Sequence, residues 1–201
     1  MKKKLMFSVL FCFGFLLTFG QSVESKFKFI KKLADIEEYL YEPNGLSILL
    51  IKDNSTPVVT TQITYNVGSK HEVSGNTGST HLLEHLLFKG TSKYNKETLT
   101  IASALQNVGA RMNATTWYDR TNYYETIPSD FLELALDIEA DRMRNSLLKA
   151  EDKAAEMTVV RNEFERGENN PSRLLSKEIW ATAFKAHTYH HSTIGWRSDI
   201  E

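Results

Sequence analysis

Residues 79–91 read Ser79-Thr80-His81-Leu82-Leu83-Glu84-His85-Leu86-Leu87-Phe88-Lys89-Gly90-Thr91. Leu82, Leu83, Leu86 and Leu87 recur at helical spacing, and Ser79 or Thr80 is of the type that caps a helix start. The segment therefore predicts an amphipathic helix. On that helix His81 and His85, four positions apart, stand one above the other, with Glu84 at i+3 on the same side.

Upstream of this helix the chain is rich in strand-forming residues. Leu46 to Lys52 and Val58 to Val67 are β-rich runs, and Asp53-Asn54-Ser55 between them is turn chemistry, which predicts a hairpin. A polar, Gly-containing loop follows from Gly68 to Ser79. Downstream, Lys96 to Val108 predicts a helix stopped by Gly109. Ala110 to Trp117 and Thr121 to Ile127 predict a second hairpin, closed off by Pro128-Ser129. Phe131 to Leu148, Ala150 to Glu168 and Ser172 to Lys185 then read as helices, with Asn169-Asn170-Pro171 as a break. Strand pairs mixed with helix pairs predict an α+β fold, a mostly antiparallel sheet with helices packed on one face.

The 201 residues suit one domain of ordinary size, and 41% hydrophobic with 24% charged residues is the composition of a folded globule. The first twenty residues stand apart. Lys2, Lys3 and Lys4 precede an apolar run from Leu5 to Phe19, and Thr18-Phe19-Gly20 offers small residues for a cut before Gln21. This reads as a secretory signal peptide over 1–20, so the chain is expected to be exported to a periplasmic or external space. An uncleaved anchor is the rival, and it is the only expected tie to a membrane, but the run is short of the ~20 residues a span needs. Residues 21–201 then form one domain, incomplete at its C-terminal end. The single Cys, Cys12, lies inside the apolar run, so the mature chain has neither disulfides nor thiolate ligands. Loss of the three Lys leaves 21 basic residues against 25 acidic. With no basic stripe, nucleic acid is excluded as a partner.

The chemistry lies in His81-Leu82-Leu83-Glu84-His85. Two imidazoles at i, i+4 can hold one metal ion, and Glu84 can reach a water beside it; the pattern is the reversed H-E-x-x-H of inverzincins. Two His leave a catalytic zinc one protein ligand short, and without Cys the third must be another His or a carboxylate. Glu156 and Glu163 share a face of the 150–168 helix with Val160, flanked by Met157 and Phe164. A carboxylate on an apolar stripe is costly unless it is paired or bound to a cation. The alternative is that Glu163 joins Glu165, Glu168, Arg161 and Arg166 on a solvated face. His187, His190 and His191 form a second His cluster, read as part of an ordinary loop rather than a metal site.

His81 to His85, the Leu-Phe-Lys-Gly-Thr that follows, and Glu156 to Pro171 resemble the pitrilysin/insulinase family of metallopeptidases. That family couples H-x-x-E-H to a downstream metal-binding Glu with a second Glu seven positions before it. Here Glu163 lies 78 positions after His85, and Glu156 lies seven before Glu163. The resemblance, which runs from about residue 40 to the end, implies that one zinc ion is held by His81, His85 and Glu163. It further implies Glu84 as the general base and Glu156 as a catalytic-site carboxylate beside the metal. It also implies that the strand carrying Asn113, Ala114 and Thr115 is a sheet edge on which a peptide substrate pairs by main-chain hydrogen bonds. The loop after His187 departs from the family, with Thr188 where a Pro is common.

The resemblance thus implies a zinc endopeptidase acting on peptides or unfolded segments. Its relatives build the working site from two halves, so a C-terminal half or second subunit is the expected partner, and the fragment alone is expected to be nearly inactive. The alternative is a non-catalytic partner subunit of the same fold, against which the complete H-x-x-E-H stands.

Overall fold

The computed structural model describes residues 26–201; the expected signal peptide and Cys12 lie outside the described residues. The chain divides at Thr56 and Pro57 into two compact units. Among the described residues no helix is long and apolar enough to cross a membrane.

The first unit is a three-stranded antiparallel sheet of β1 (Phe27–Leu33), β2 (Ile36–Tyr41) and β3 (Leu46–Ile51), in that order. Gly45, at φ 74°, closes the turn between β2 and β3, where Gly45 N donates to Tyr41 O and Leu46 N to Asn44 Oδ1. This corrects the hairpin expected between 46–52 and 58–67. β3 pairs with β2, and the second run pairs with a strand some sixty residues further on. The Pro43-Asn44-Gly45 turn is tighter than the Asp53–Pro57 link, and β2 is masked in the sequence because Glu37 and Glu38 interrupt its apolar pattern.

The second unit holds the sheet β4 (Val58–Tyr65), β6 (Thr121–Pro128) and β5 (Arg111–Thr116), in that spatial order and antiparallel throughout. Central β6 sends Tyr123, Glu125 and Ile127 into the interior, as its period of two requires. Helices α2 (Ile101–Asn107) and α3 (Leu132–Asn145) pack on the sheet through Ile101, Leu105, Ala135 and Ile138 around Ile127. The helix expected over 96–108 is shorter because Thr100 caps it, its Oγ1 accepting from Ser103 N. β5 pairs only with β6, so its outer side is a sheet edge among the described strands.

A second apolar cluster positions the chemistry. α1 (Ser79–Leu86) contributes Leu82 and Leu86, α4 (Ala150–Glu168) contributes Val160 and Phe164, and the short α6 (Arg197–Ile200) contributes Ile200. α4 has the bounds its sequence predicts, and α5 (Pro171–Ala183) begins with Pro171 behind an Asn170 cap. Burying Leu82, Leu86, Val160 and Phe164 together forces the polar faces of α1 and α4 to meet at one end of that seam.

Between β6 and α3 lies a buried charge cluster. The Arg142 guanidinium is 4.6 Å from the Tyr123 ring centre and 5.1 Å from that of Phe88, and it donates to Glu139 at 2.7 Å. Burial, and then the neighbouring Glu125 carboxyl, push Glu139 up to about 8, against the pull of Arg142.

Candidate metal centre

Neither Ser79 nor Thr80 caps α1 with its side chain, which corrects the expectation. Gly78 holds the cap position at φ 87°, and the Glu72 carboxylate accepts from Gly78 N at 2.8 Å and from Thr80 N at 2.7 Å. An anion there satisfies two N–H groups that the helix cannot, and it suits the positive end of the helix dipole. A Cβ on Gly78 would stand 2.5 Å from Ile194 O, and one on Gly195 would strike the Thr77 carbonyl. Thr77 is bound from the same side: its N and Oγ1 donate to Asp199 Oδ2 at 3.0 and 2.7 Å, and Trp196 N donates to its Oγ1. The segment 194–199 therefore clasps the loop that launches α1.

On α1 the rings of His81 and His85 lie 4.7 Å apart at 80°. The Nε2 atoms of both are 3.7 Å from Glu163 Oε2 on α4, and one donor atom from each of the three residues lies within 4.8 Å of the others. Two imidazole nitrogens and a carboxylate oxygen converging on a common point form a donor set suited to zinc. Burial, reinforced by the neighbouring His85, lowers the His81 imidazole from its ordinary value, the direction that favours the neutral form a metal ligand needs. The three residues fit a metal.

His85 is oriented from behind. Its Nδ1 donates to Glu156 Oε2 at 2.9 Å, and the other carboxylate oxygen of Glu156 accepts from Lys89 Nζ. A proton on Nδ1 leaves the Nε2 lone pair free toward Glu163. Burial alone would raise Glu156; the hydrogen bonds from Lys89 and His85 outweigh it and hold the carboxyl below its ordinary value. Glu84 is itself buried, and burial raises its carboxyl, opposed by a hydrogen bond from Thr116 Oγ1 to its Oε2.

The remaining sequence-predicted residues fall in two places. Asn113, Ala114 and Thr115 lie on β5, opposite Tyr124, Tyr123 and Asn122 of β6. Asn113 and Thr115 are exposed and Ala114 is buried, as alternation demands. His187, His190 and His191 are not gathered with the three candidate ligands. His187 Nδ1 accepts from Tyr189 N, the His190 ring lies 6.3 Å from that of Trp196, and His191 is buried with its Nδ1 3.7 Å from Glu72. Sequence reasoning missed Glu72, Lys89 and Thr116. Lys89 is the one with a signal, one turn beyond His85 on the motif's own segment; Glu72 and Thr116 are joined to α1 only by the folded chain.

Beside the centre opens a cleft of about 990 Å³, lined by residues of α4 and α5, by His81 and Glu163 of the candidate centre, and by Trp117 and Tyr118, just past β5. Trp180 of α5 stacks on Tyr118 at 4.6 Å.

Comparison with known proteins gives a consistent picture. A family model described as insulinase (peptidase family M16) matches residues 47–196. The zinc protease PqqE of Helicobacter pylori is 32% identical over 160 residues, 79% of this chain and 36% of that protein. The β subunit of the mitochondrial-processing peptidase of Bos taurus is 30% identical over 158 residues, covering 79% and 32%. The crystal structure of a protease from Helicobacter pylori superposes with a TM-score of 0.76 at 31% identity, over 82% of this chain and 39% of that one. The chain thus spans about a third of the length of these relatives.

Proposed function

The chain belongs to the insulinase family, peptidase family M16, and on that premise we propose that it carries the catalytic centre of a zinc-dependent endopeptidase. The observation that carries the reading is the convergence of His81, His85 and Glu163 next to the buried carboxyl of Glu84. When bound, zinc supplies Lewis acidity, polarising the scissile carbonyl and making water acidic enough to act near neutral pH.

The residues of the chain supply the rest. His81 and His85 hold the metal as neutral imidazoles, His85 in the tautomer that Glu156 selects. Glu84 takes a proton from the attacking water as oxygen bonds to the carbonyl carbon. It returns that proton to the amine nitrogen as the C–N bond breaks. The Thr116 hydroxyl fixes the orientation of the Glu84 carboxylate and ties it to the end of β5. Substrate adds to the free edge of β5 as an extra strand through main-chain hydrogen bonds, beside Asn113, Ala114 and Thr115. Because those bonds carry little side-chain information, substrates are peptides or unfolded segments of varied sequence. A second half, fused or separate, completes the site, a reading supported by the name of the mitochondrial relative as a β subunit.

The test is cleavage of an unstructured peptide by the native protein, together with any chain that copurifies with it. Cleavage is expected, abolished by a zinc chelator and restored by added zinc. Cleavage indifferent to the chelator would sink the metal mechanism, and a zinc-loaded protein that cuts no peptide would favour a non-catalytic subunit.

A further inference from the structure

We infer that the cleft beside the centre selects an acidic substrate side chain close to the scissile bond, and that Arg173 on α5 sets this preference. The inference rests on the peptidase reading above and adds a substrate class to it.

The charges lining the cleft decide the matter. Glu163, Arg166, Glu168, Arg173 and Lys177 reach it. Glu163 is committed to the metal centre with the two His. Glu168 accepts from Lys177 at 3.0 Å, and that ammonium also lies 5.1 Å from the ring centre of Phe164 and 5.3 Å from that of Trp196. Both carboxylates are therefore occupied. Arg166 and Arg173 are in no ion pair among the described residues; Arg166 Nε reaches only Asn162 O, at 3.4 Å. Arg173 lies across the last turn of α4, with its Nη1 3.9 Å from where a Cβ on Gly167 would stand. Gly167, with no side chain, leaves the guanidinium open to the cleft. Arg173 also stands one turn from Lys177 on the same face of α5, so this stretch of the cleft's lining is cationic.

Position along the substrate follows from β5. Its last residue, Thr116, touches Glu84, and the next two residues line the cleft. A peptide paired along this edge advances roughly 3.3 Å per residue and alternates its faces. With the scissile bond at Glu84, one of the next two side chains enters the cleft that Trp117, Tyr118 and Arg173 line. A carboxylate there meets a planar guanidinium that can bind it with two parallel hydrogen bonds, while a Lys or Arg side chain is repelled.

The experiment uses the native protein and a set of peptides that differ only in carrying Asp, Glu, Gln or Lys at successive positions around the cut. At one position within two residues of the cleaved bond, kcat/KM is expected to favour Glu or Asp over Lys by at least about tenfold. Raised salt shrinks that ratio. Arg173→Glu reverses or abolishes it, and Arg173→Lys retains most of it. Each ratio is taken within one preparation, so any loss of folded protein cancels. A native ratio near one at every position, or a ratio that Arg173→Glu leaves unmoved, overturns the inference alone. Failure to cut any peptide in the set removes the peptidase reading and this inference with it.

Discussion

His85 Nδ1 lies 2.9 Å from a carboxylate oxygen of Glu156, so one helix face carries both a candidate metal ligand and the group that orients another. Glu163 and Glu156, two turns apart on α4, address opposite nitrogens of the same imidazole. Glu156→Gln keeps the shape but weakens the hold on Nδ1. It is expected to lower zinc affinity about 10- to 100-fold, the usual effect of losing such an outer partner, while saturating zinc restores occupancy. Competition with a chelator of known affinity reads this directly, and an unchanged affinity would remove Glu156 from any role at the centre.

Glu84 and Glu163 are close enough for the one carboxylate to raise the other, and their amide variants separate their roles. Glu163→Gln is expected to lose most bound zinc. Glu84→Gln is expected to keep zinc near the native level while peptide cleavage falls 10²–10⁴-fold, the range for a lost general base. Zinc content by elemental analysis beside a turnover assay distinguishes the cases. Loss of zinc in Glu84→Gln would make Glu84 a ligand and leave the base unassigned.

Glu72 holds the start of α1 through two backbone N–H groups. Glu72→Ala leaves both donors buried without a partner and is expected to cost about 1–2 kcal/mol of stability, the range for losing a helix cap. A denaturant midpoint shifted by less than a quarter of that range would mean water replaces the carboxylate.

Stability is expected to vary with pH through Glu139. In the folded chain its carboxyl is pushed up to about 8, against 4.5 ordinarily. Between those values the folded state holds a proton that the unfolded state has released, so stability falls as pH rises through this window. Glu139→Gln carries no titrating group there. Its melting temperature is expected to decline less between pH 5 and pH 8 than that of the native chain, and parallel curves would assign the proton elsewhere.

Much of this was legible in the sequence because the signals were local. α4 ends at the Asn169-Asn170-Pro171 break that the sequence shows, and the helix of His81 and His85 forms where Leu82, Leu83, Leu86 and Leu87 require it. The strand pairing was not legible in the same way. Asp53-Asn54-Ser55 offers good turn chemistry, but Val58–Tyr65 gains more by joining central β6 between two partners than by folding back on β3. The supporting polar groups were hidden for a related reason. Glu72, Thr116 and Asp199 look like surface residues until distant segments meet, and no spacing rule connects Thr77 with Asp199 across 122 positions.

That clasp has a consequence for how the molecule is made. All three candidate ligands have been synthesised once Glu163 leaves the ribosome, yet the loop that aims His81 is pinned only after Ile194, Gly195, Trp196 and Asp199 follow. The clasp therefore lies some 36 residues beyond the last candidate ligand, so a chain cut just before Ile194 is expected to keep His81, His85 and Glu163 and yet bind zinc more weakly than one that includes Asp199.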